Sequence, residues 1–67
     1  MKIVIWHGSK PIAEYHEHVP PRTGELLVLG DGESAGRLVK IVQIEWLLYV
    51  VPGTTTGSLE GVRVYVE

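Results

Sequence analysis

The sequence has no cysteine among its 67 residues. This absence excludes disulfides, thiolate zinc sites, iron–sulfur clusters and a cysteine nucleophile. A chain of this length forms one domain with one core, and it buries only roughly 60% of the surface that its unfolded form exposes. Small domains often compensate with disulfides, a metal or a partner subunit. Because disulfides are excluded, assembly with a partner protein or a second copy is favoured from the outset.

Basic charge and long apolar runs are also scarce. Six Lys and Arg against eight Asp and Glu give a net charge of −2 and a pI of about 5.9, whereas a generic nucleic-acid-binding domain has a basic face or a pI above about 9. The apolar run at residues 3–6 is shorter than the core of a signal peptide. Residues 46–51 are too few to span a bilayer. We therefore expect a cytoplasmic protein without a membrane partner.

Residues that favour helices are few, and β-branched residues are many. Alanine occurs only at positions 13 and 35, while valine and isoleucine recur throughout, and these fit pleated strands better than helices. Glycine and proline divide the chain into five predicted strands, at residues 2–7, 12–18, 25–29, 37–51 and 59–67. We expect a meander, with the long fourth strand bending or changing partners as barrel closure requires. The composition thus predicts a single all-β domain, a small five-stranded barrel.

The N-terminal hairpin has two possible registers. A two-residue loop at Gly8-Ser9 sets Ile5 opposite Ile12, and a three-residue loop sets Ile5 opposite Ala13. Neither arrangement leaves a clean polar face, so the sequence does not choose between them.

The C-terminal hairpin has a more definite pattern. Placing Val51 opposite Leu59 aligns three apolar pairs on one face, which are Leu48 with Val62, Trp46 with Val64 and Ile44 with Val66. The same alignment puts Leu47 opposite Arg63 and Glu45 opposite Tyr65 on the other face. A shift by one residue would mix the two faces. This register assigns Trp46 to the core.

Residues 20–29 (PPRTGELLVL) and 36–42 (GRLVKIV) form a recognisable pattern. A proline, a glycine and an acidic residue lead into a strand, and after a polar turn a second strand carries alternating valines. Over about residues 20–51 the chain resembles SH3-like small β-barrels, including small accessory proteins of bacteria and phages, and an OB-like barrel is the alternative. The aromatic groove of eukaryotic signalling SH3 domains is not visible, so the resemblance does not imply binding of proline-rich ligands. A fold alone implies no function.

The outer face of the fourth and fifth strands is the leading candidate for a binding surface. Leu47, Tyr49 and Val51 point away from the predicted core and need cover from a loop, the N-terminal hairpin or a partner. They share this face with Arg63 and Tyr65, a mixture typical of protein interfaces. We therefore predict a non-enzymatic interaction module that binds a protein partner or a second copy of itself.

Nucleic-acid binding is the alternative function. Arg22, Arg37 and Lys40 could frame one end of the barrel, and binders of single strands add exposed aromatic side chains on which bases stack. Because the register of the C-terminal hairpin assigns Trp46 to the core, Trp46 is a poor platform for stacking.

The remaining polar residues predict neither catalysis nor a cofactor. His16 and His18 are two apart on a strand, with Glu14 on the face of His16, and this spacing can chelate a metal; His7 lies at the other end of the hairpin, so we expect solvated residues and no metal site. No carboxylate or hydroxyl has a base or pocket assigned to it. The segment 30–34 (GDGES) lacks the lysine and following helix of a phosphate-binding loop. We predict no enzymatic activity, no cofactor and no small-molecule substrate.

Overall fold

The computed structural model describes residues 1–30 and 36–67. It contains five strands and is all-β, as predicted. The strands are β1 (Lys2–His7), β2 (Lys10–His16), β3 (Leu26–Leu29), β4 (Arg37–Val50) and β5 (Gly57–Val66). They form one curled mixed sheet in the order β2-β1-β5-β4-β3, a half-barrel with β2 and β3 at its two edges.

The meander expectation is wrong for the N-terminal hairpin. β3, β4 and β5 follow one another antiparallel, but β1 pairs with β5 in parallel and β2 lies outside it. The segment between β2 and β3 joins opposite edges of the sheet, with Glu17 hydrogen-bonded to Met1 at one end and Gly24 to Ile41 at the other. Its prolines cannot complete a strand ladder, and therefore this stretch crosses the sheet instead of adding a strand to it.

Both registers considered for the N-terminal hairpin occur in the same hairpin. At the turn His7 pairs with Lys10, but further along Ile5 pairs with Ala13. A bulge at Ile12 absorbs the extra residue. The φ of +63° at Gly8 places a glycine at the first central position, as a type II′ turn requires.

The register predicted for the C-terminal hairpin is wrong, by two residues up to Leu47 and by three beyond it. Ile44 pairs with Val64, Trp46 with Val62 and Glu45 with Arg63. Side chains alternate with a period of two, so a shift by two preserves both faces and the apolar pattern cannot detect it. The face assignments of these residues are therefore correct, although their partners are not. A bulge at Glu60 adds the third residue, so Leu59, predicted opposite Val51 on the outer face, pairs with Leu48 on the inner face.

The long strand β4 changes partners, as expected. Its first four residues pair with β3, and pairing with β5 begins at Ile41. A bulge at Val42 lies at this change. It shifts the inward-facing positions from odd to even numbers, so that Val39 and Ile41 are followed on the inner face by Ile44.

The core lies on the inner, concave face of the half-barrel. Seven buried aliphatic residues form it: Ile3, Ile5, Val39, Ile41, Val62, Val64 and Val66. Each strand contacts only its neighbours in the sheet. Half-buried side chains of the curled sheet itself, such as Ile12, Tyr15, Leu27 and Leu29, pack against this core. Within the part of the chain that the structure describes, there is no helix long and apolar enough to cross a membrane.

Candidate protein interface

The outer, convex face of β4, β5 and β1 brings three of the predicted interface residues together. Leu47, Arg63 and Tyr65 alternate with inward-pointing residues and therefore share this face. Leu47 is half-buried beside Gly61, which has no side chain to shield it. Trp6 on β1 joins the group, because β1 pairs with β5 and Trp6 lies opposite Tyr65.

A hydrogen-bonded cluster organises the centre of the outer face. One oxygen of Glu45, Oε1, accepts a bond of 3.2 Å from Arg63 Nη1 and one of 3.1 Å from the Tyr65 hydroxyl. The neighbouring Tyr65 and then Glu45 raise the pKa of the Arg63 guanidinium. The Arg63 Cζ atom also lies 5.7 Å from the centre of the Trp6 ring, within range of a cation–π contact. These contacts link four polar or aromatic side chains into one cluster on the outer face.

A shallow groove of about 270 Å³ runs beside this cluster. Its walls include Lys2, Trp6, Leu47, Glu60 and Arg63. The Trp6 indole N–H is buried and has no acceptor within the described residues. The groove thus combines an apolar floor with charges of both signs at its rim, as in protein-recognition surfaces.

Tyr49 and Val51, the other two predicted interface residues, lie beyond the groove and are exposed. β1 pairs with β5 only from Gly61 onward. The pairing between β4 and β5 extends beyond this point, towards the turn that joins them. The N-terminal hairpin therefore lies beside β5 in the plane of the sheet and does not fold over these side chains. Among residues 1–30 and 36–67, no strand packs over the outer face.

The assignment of Trp46 to the core is wrong. Trp46 points to the inner face, as the alternation requires, but it is 51% exposed because the core ends at Val62 and the crossing segment covers only part of the sheet. It lines an apolar groove of about 360 Å³ with Ile44 and the crossing residues Pro20, Pro21 and Arg22. Sequence reasoning missed this groove, although the proline pair that forms one wall was visible.

The three basic residues proposed for nucleic-acid binding do not form one patch. Arg37 alternates with buried Val39 and lies on the inner side of β4, whereas Lys40 lies on the outer side. Arg22 is at the apolar groove, where its backbone N–H donates to the Glu25 carboxylate.

The polar residues weighed for metal binding and catalysis lie apart. Glu14 forms a 3.4 Å ion pair with Lys2. His16 is exposed at the open end of the N-terminal hairpin, whereas His7 lies at its turn. Within the described ranges, no group of three or more metal-ligating side chains is found. Most of the segment compared with a phosphate-binding loop, residues 31–34, lies outside the described residues. This part includes Asp31, Glu33 and Ser34.

Comparison with protein families, curated proteins and solved structures gives no match to this chain.

Proposed function

We propose that this protein is a non-enzymatic protein-interaction module, acting in the cytoplasm through the outer face of β4 and β5. The resemblance of residues 20–51 to SH3-like barrels supports a role like that of small accessory proteins of bacteria and phages. The observation that carries the proposal is the outer face itself. It presents an ordered cluster centred on Glu45 next to exposed aromatic and aliphatic side chains.

The physical argument is one of preorganisation. An interface gains affinity when its anchoring side chains are already held in their bound orientation, because less conformational entropy is lost on binding. Arg63 and Tyr65 are held by the same carboxylate oxygen, and tyrosine, tryptophan and arginine are the residue types enriched at binding hot spots. The half-buried Leu47 provides the apolar neighbour that such residues require.

Capture from host lysate by the immobilised chain tests the proposal. We expect Tyr49→Lys and Arg63→Glu to lose a host protein that the parent chain retains. The matched control is Leu38→Lys, which places the same charge on an exposed position of β4 away from Tyr49. Equal capture by all variants, or no specific capture by the parent chain, would contradict a role for this face.

A second candidate is single-stranded nucleic-acid binding, supported by one observation. Trp46 is half-exposed and lines a groove with Arg22, the combination on which bases stack. It differs from the sequence-based alternative, which used Arg22, Arg37 and Lys40. Binding that weakens steeply with salt and is lost in Trp46→Ala would support it, and no binding to single- or double-stranded probes at low salt would exclude it.

A further inference from the structure

The distal end of the β4–β5 hairpin, residues 48–59, projects from the half-barrel, and we call it the arm. Every residue from 48 to 60 is exposed. Within the described chain, no third strand pairs with the arm. The pairing of β1 with β5 begins at Gly61, outside the arm, and β3 pairs only with the first four residues of β4. The molecule is accordingly 49 Å long and 21 Å wide.

The arm is a formed hairpin with an ordered tip. Leu48, Tyr49 and Val50 pair with Leu59, Ser58 and Gly57. Pro52 and Gly53, with a φ of +79° at the glycine, occupy the central positions of a turn closed by Thr54 N–H donating to the Val51 carbonyl. This is the pattern of a type II turn.

Surface of this kind is costly in an isolated monomer. The inner face of the arm carries Leu48, Val50 and Leu59, and it continues into the half-exposed Trp46. A two-stranded ribbon is marginally stable in water unless it packs against something. The exposed apolar residues of the arm therefore require cover in the native assembly.

The chemistry of the arm favours a second copy as that cover. Residues 46–59 contain no charged side chain, so this surface offers nothing that an acidic or basic partner would recognise by charge. An apolar strip of this kind is complementary to itself, and a twofold axis brings the same strip of two copies together without like-charge repulsion.

The inner face of the arm carries a continuous strip of exposed apolar surface. Aromatic side chains bury roughly 150–250 Å² each, and Trp46 retains about half of this because it is 51% exposed. Leu48, Val50 and Leu59 add aliphatic surface on the same face, and the apolar groove beside Trp46 extends it. Two such strips with their grooves offer contact at the small end of specific interfaces, which bury less than roughly 1,200 Å² in total.

We propose that the chain forms a twofold dimer in which the arms of two copies pack through their inner faces. This proposal rests on the proposed function, since it names one partner of the interaction module, but it uses the opposite face of the hairpin. Trp46, Leu48, Val50 and Leu59 form the contact. The outer face, with Glu45, Arg63 and Tyr65, stays free for a different protein.

Sedimentation equilibrium of the full chain and single variants tests the dimer. The parent chain is expected to dimerise, and Leu48→Lys and Leu59→Lys to raise the dimer dissociation constant by roughly a hundredfold or more, because an unpaired charge would be buried at the contact. The matched control is Leu38→Lys: Leu38 and Leu48 are both 61% exposed, so the same substitution has the same effect on the monomer. This control is expected to remain dimeric.

The outer-face variant Tyr49→Lys separates this proposal from the proposed function. It should dimerise normally while losing the captured host protein. A parent chain that is monomeric at every concentration reached, or a dimer that Leu48→Lys and Leu59→Lys both leave intact, would overturn the arm contact whatever the capture experiment shows. Circular dichroism of each variant verifies that the strands are retained.

Discussion

Gly61 on β5 lies opposite Lys2, at the start of the pairing between β1 and β5. A Cβ atom built there would be 2.5 Å from the carbonyl oxygen of Lys2, a distance that backbone atoms do not tolerate. The absence of a side chain therefore allows the parallel pairing that joins the two hairpins into one sheet.

Gly61→Ala is expected to destabilise the chain by about 1–3 kcal/mol, because the added methyl group pushes β1 away from β5. Urea unfolding measures the change. Gly30→Ala is the control, since its Cβ would meet nothing within 4 Å, and it should be neutral or slightly stabilising. An unchanged midpoint for Gly61→Ala would contradict the close approach.

Tyr15 is the side chain through which alkaline pH should act on stability. Burial, and then the charge of Glu17, raise the pKa of its hydroxyl. The folded pKa is above the unfolded value of about 10, so this contribution to stability is present below that value and is lost as the pH rises through the folded pKa.

Tyr15→Phe should therefore flatten the loss of unfolding free energy between about pH 9 and pH 11. Urea unfolding of both proteins across this range measures the difference. Equal losses for the two proteins would show that Tyr15 ionises alike in the folded and unfolded states.

At the scale of elements, the sequence predicts strands better than it predicts their pairing. The predicted bounds of the strand at residues 2–7 agree with the structure, and the ends of the other predicted strands differ from it by at most two residues. Bulges at Ile12, Val42 and Glu60 account for much of the disagreement in pairing. A bulge adds a residue without changing local composition, so alternation read along a single strand does not reveal it.

The candidate interface was predictable to a similar extent. The shared face of Leu47, Arg63 and Tyr65 follows from alternation alone. Their hydrogen-bonded arrangement with Glu45 and the contribution of Trp6 depend on which strands lie side by side. The parallel pairing of β1 with β5 joins distant parts of the sequence, and no local pattern indicates it.

The register of the arm can be tested with cysteine pairs, which are unambiguous in a chain without native cysteine. Tyr49 and Ser58 are cross-strand partners, at a separation that a disulfide can bridge. Oxidation of the double variant Tyr49→Cys with Ser58→Cys should give an intramolecular disulfide. Val50→Cys with Glu60→Cys, a pair that the sequence-based register would align, should form it much more slowly; the opposite order would contradict the observed pairing.

The whole molecule is extended for its size. Its radius of gyration of 13.9 Å exceeds the roughly 11 Å of a compact chain of this length. Within residues 1–30 and 36–67, only seven aliphatic residues are buried. Because the core is small and the apolar arm projects from it, the proposed dimer would add to the stability of the fold.

The thermal unfolding midpoint should therefore rise with protein concentration, because association stabilises the folded state by mass action. Calorimetry at several concentrations measures this dependence. Leu48→Lys should lower the midpoint and remove its dependence on concentration, whereas Leu38→Lys should keep it. A midpoint of the parent chain that is constant with dilution would contradict coupled assembly.

The absence of charge from the arm also determines how its association can be controlled. A contact without ionisable side chains has no group that protons titrate and no ion pair that salt screens. Its strength would instead follow temperature, since apolar association weakens on cooling. The proportion of assembled protein would then be governed by how much of the chain a cell makes and how warm the cell is, with pH and ionic strength having little effect.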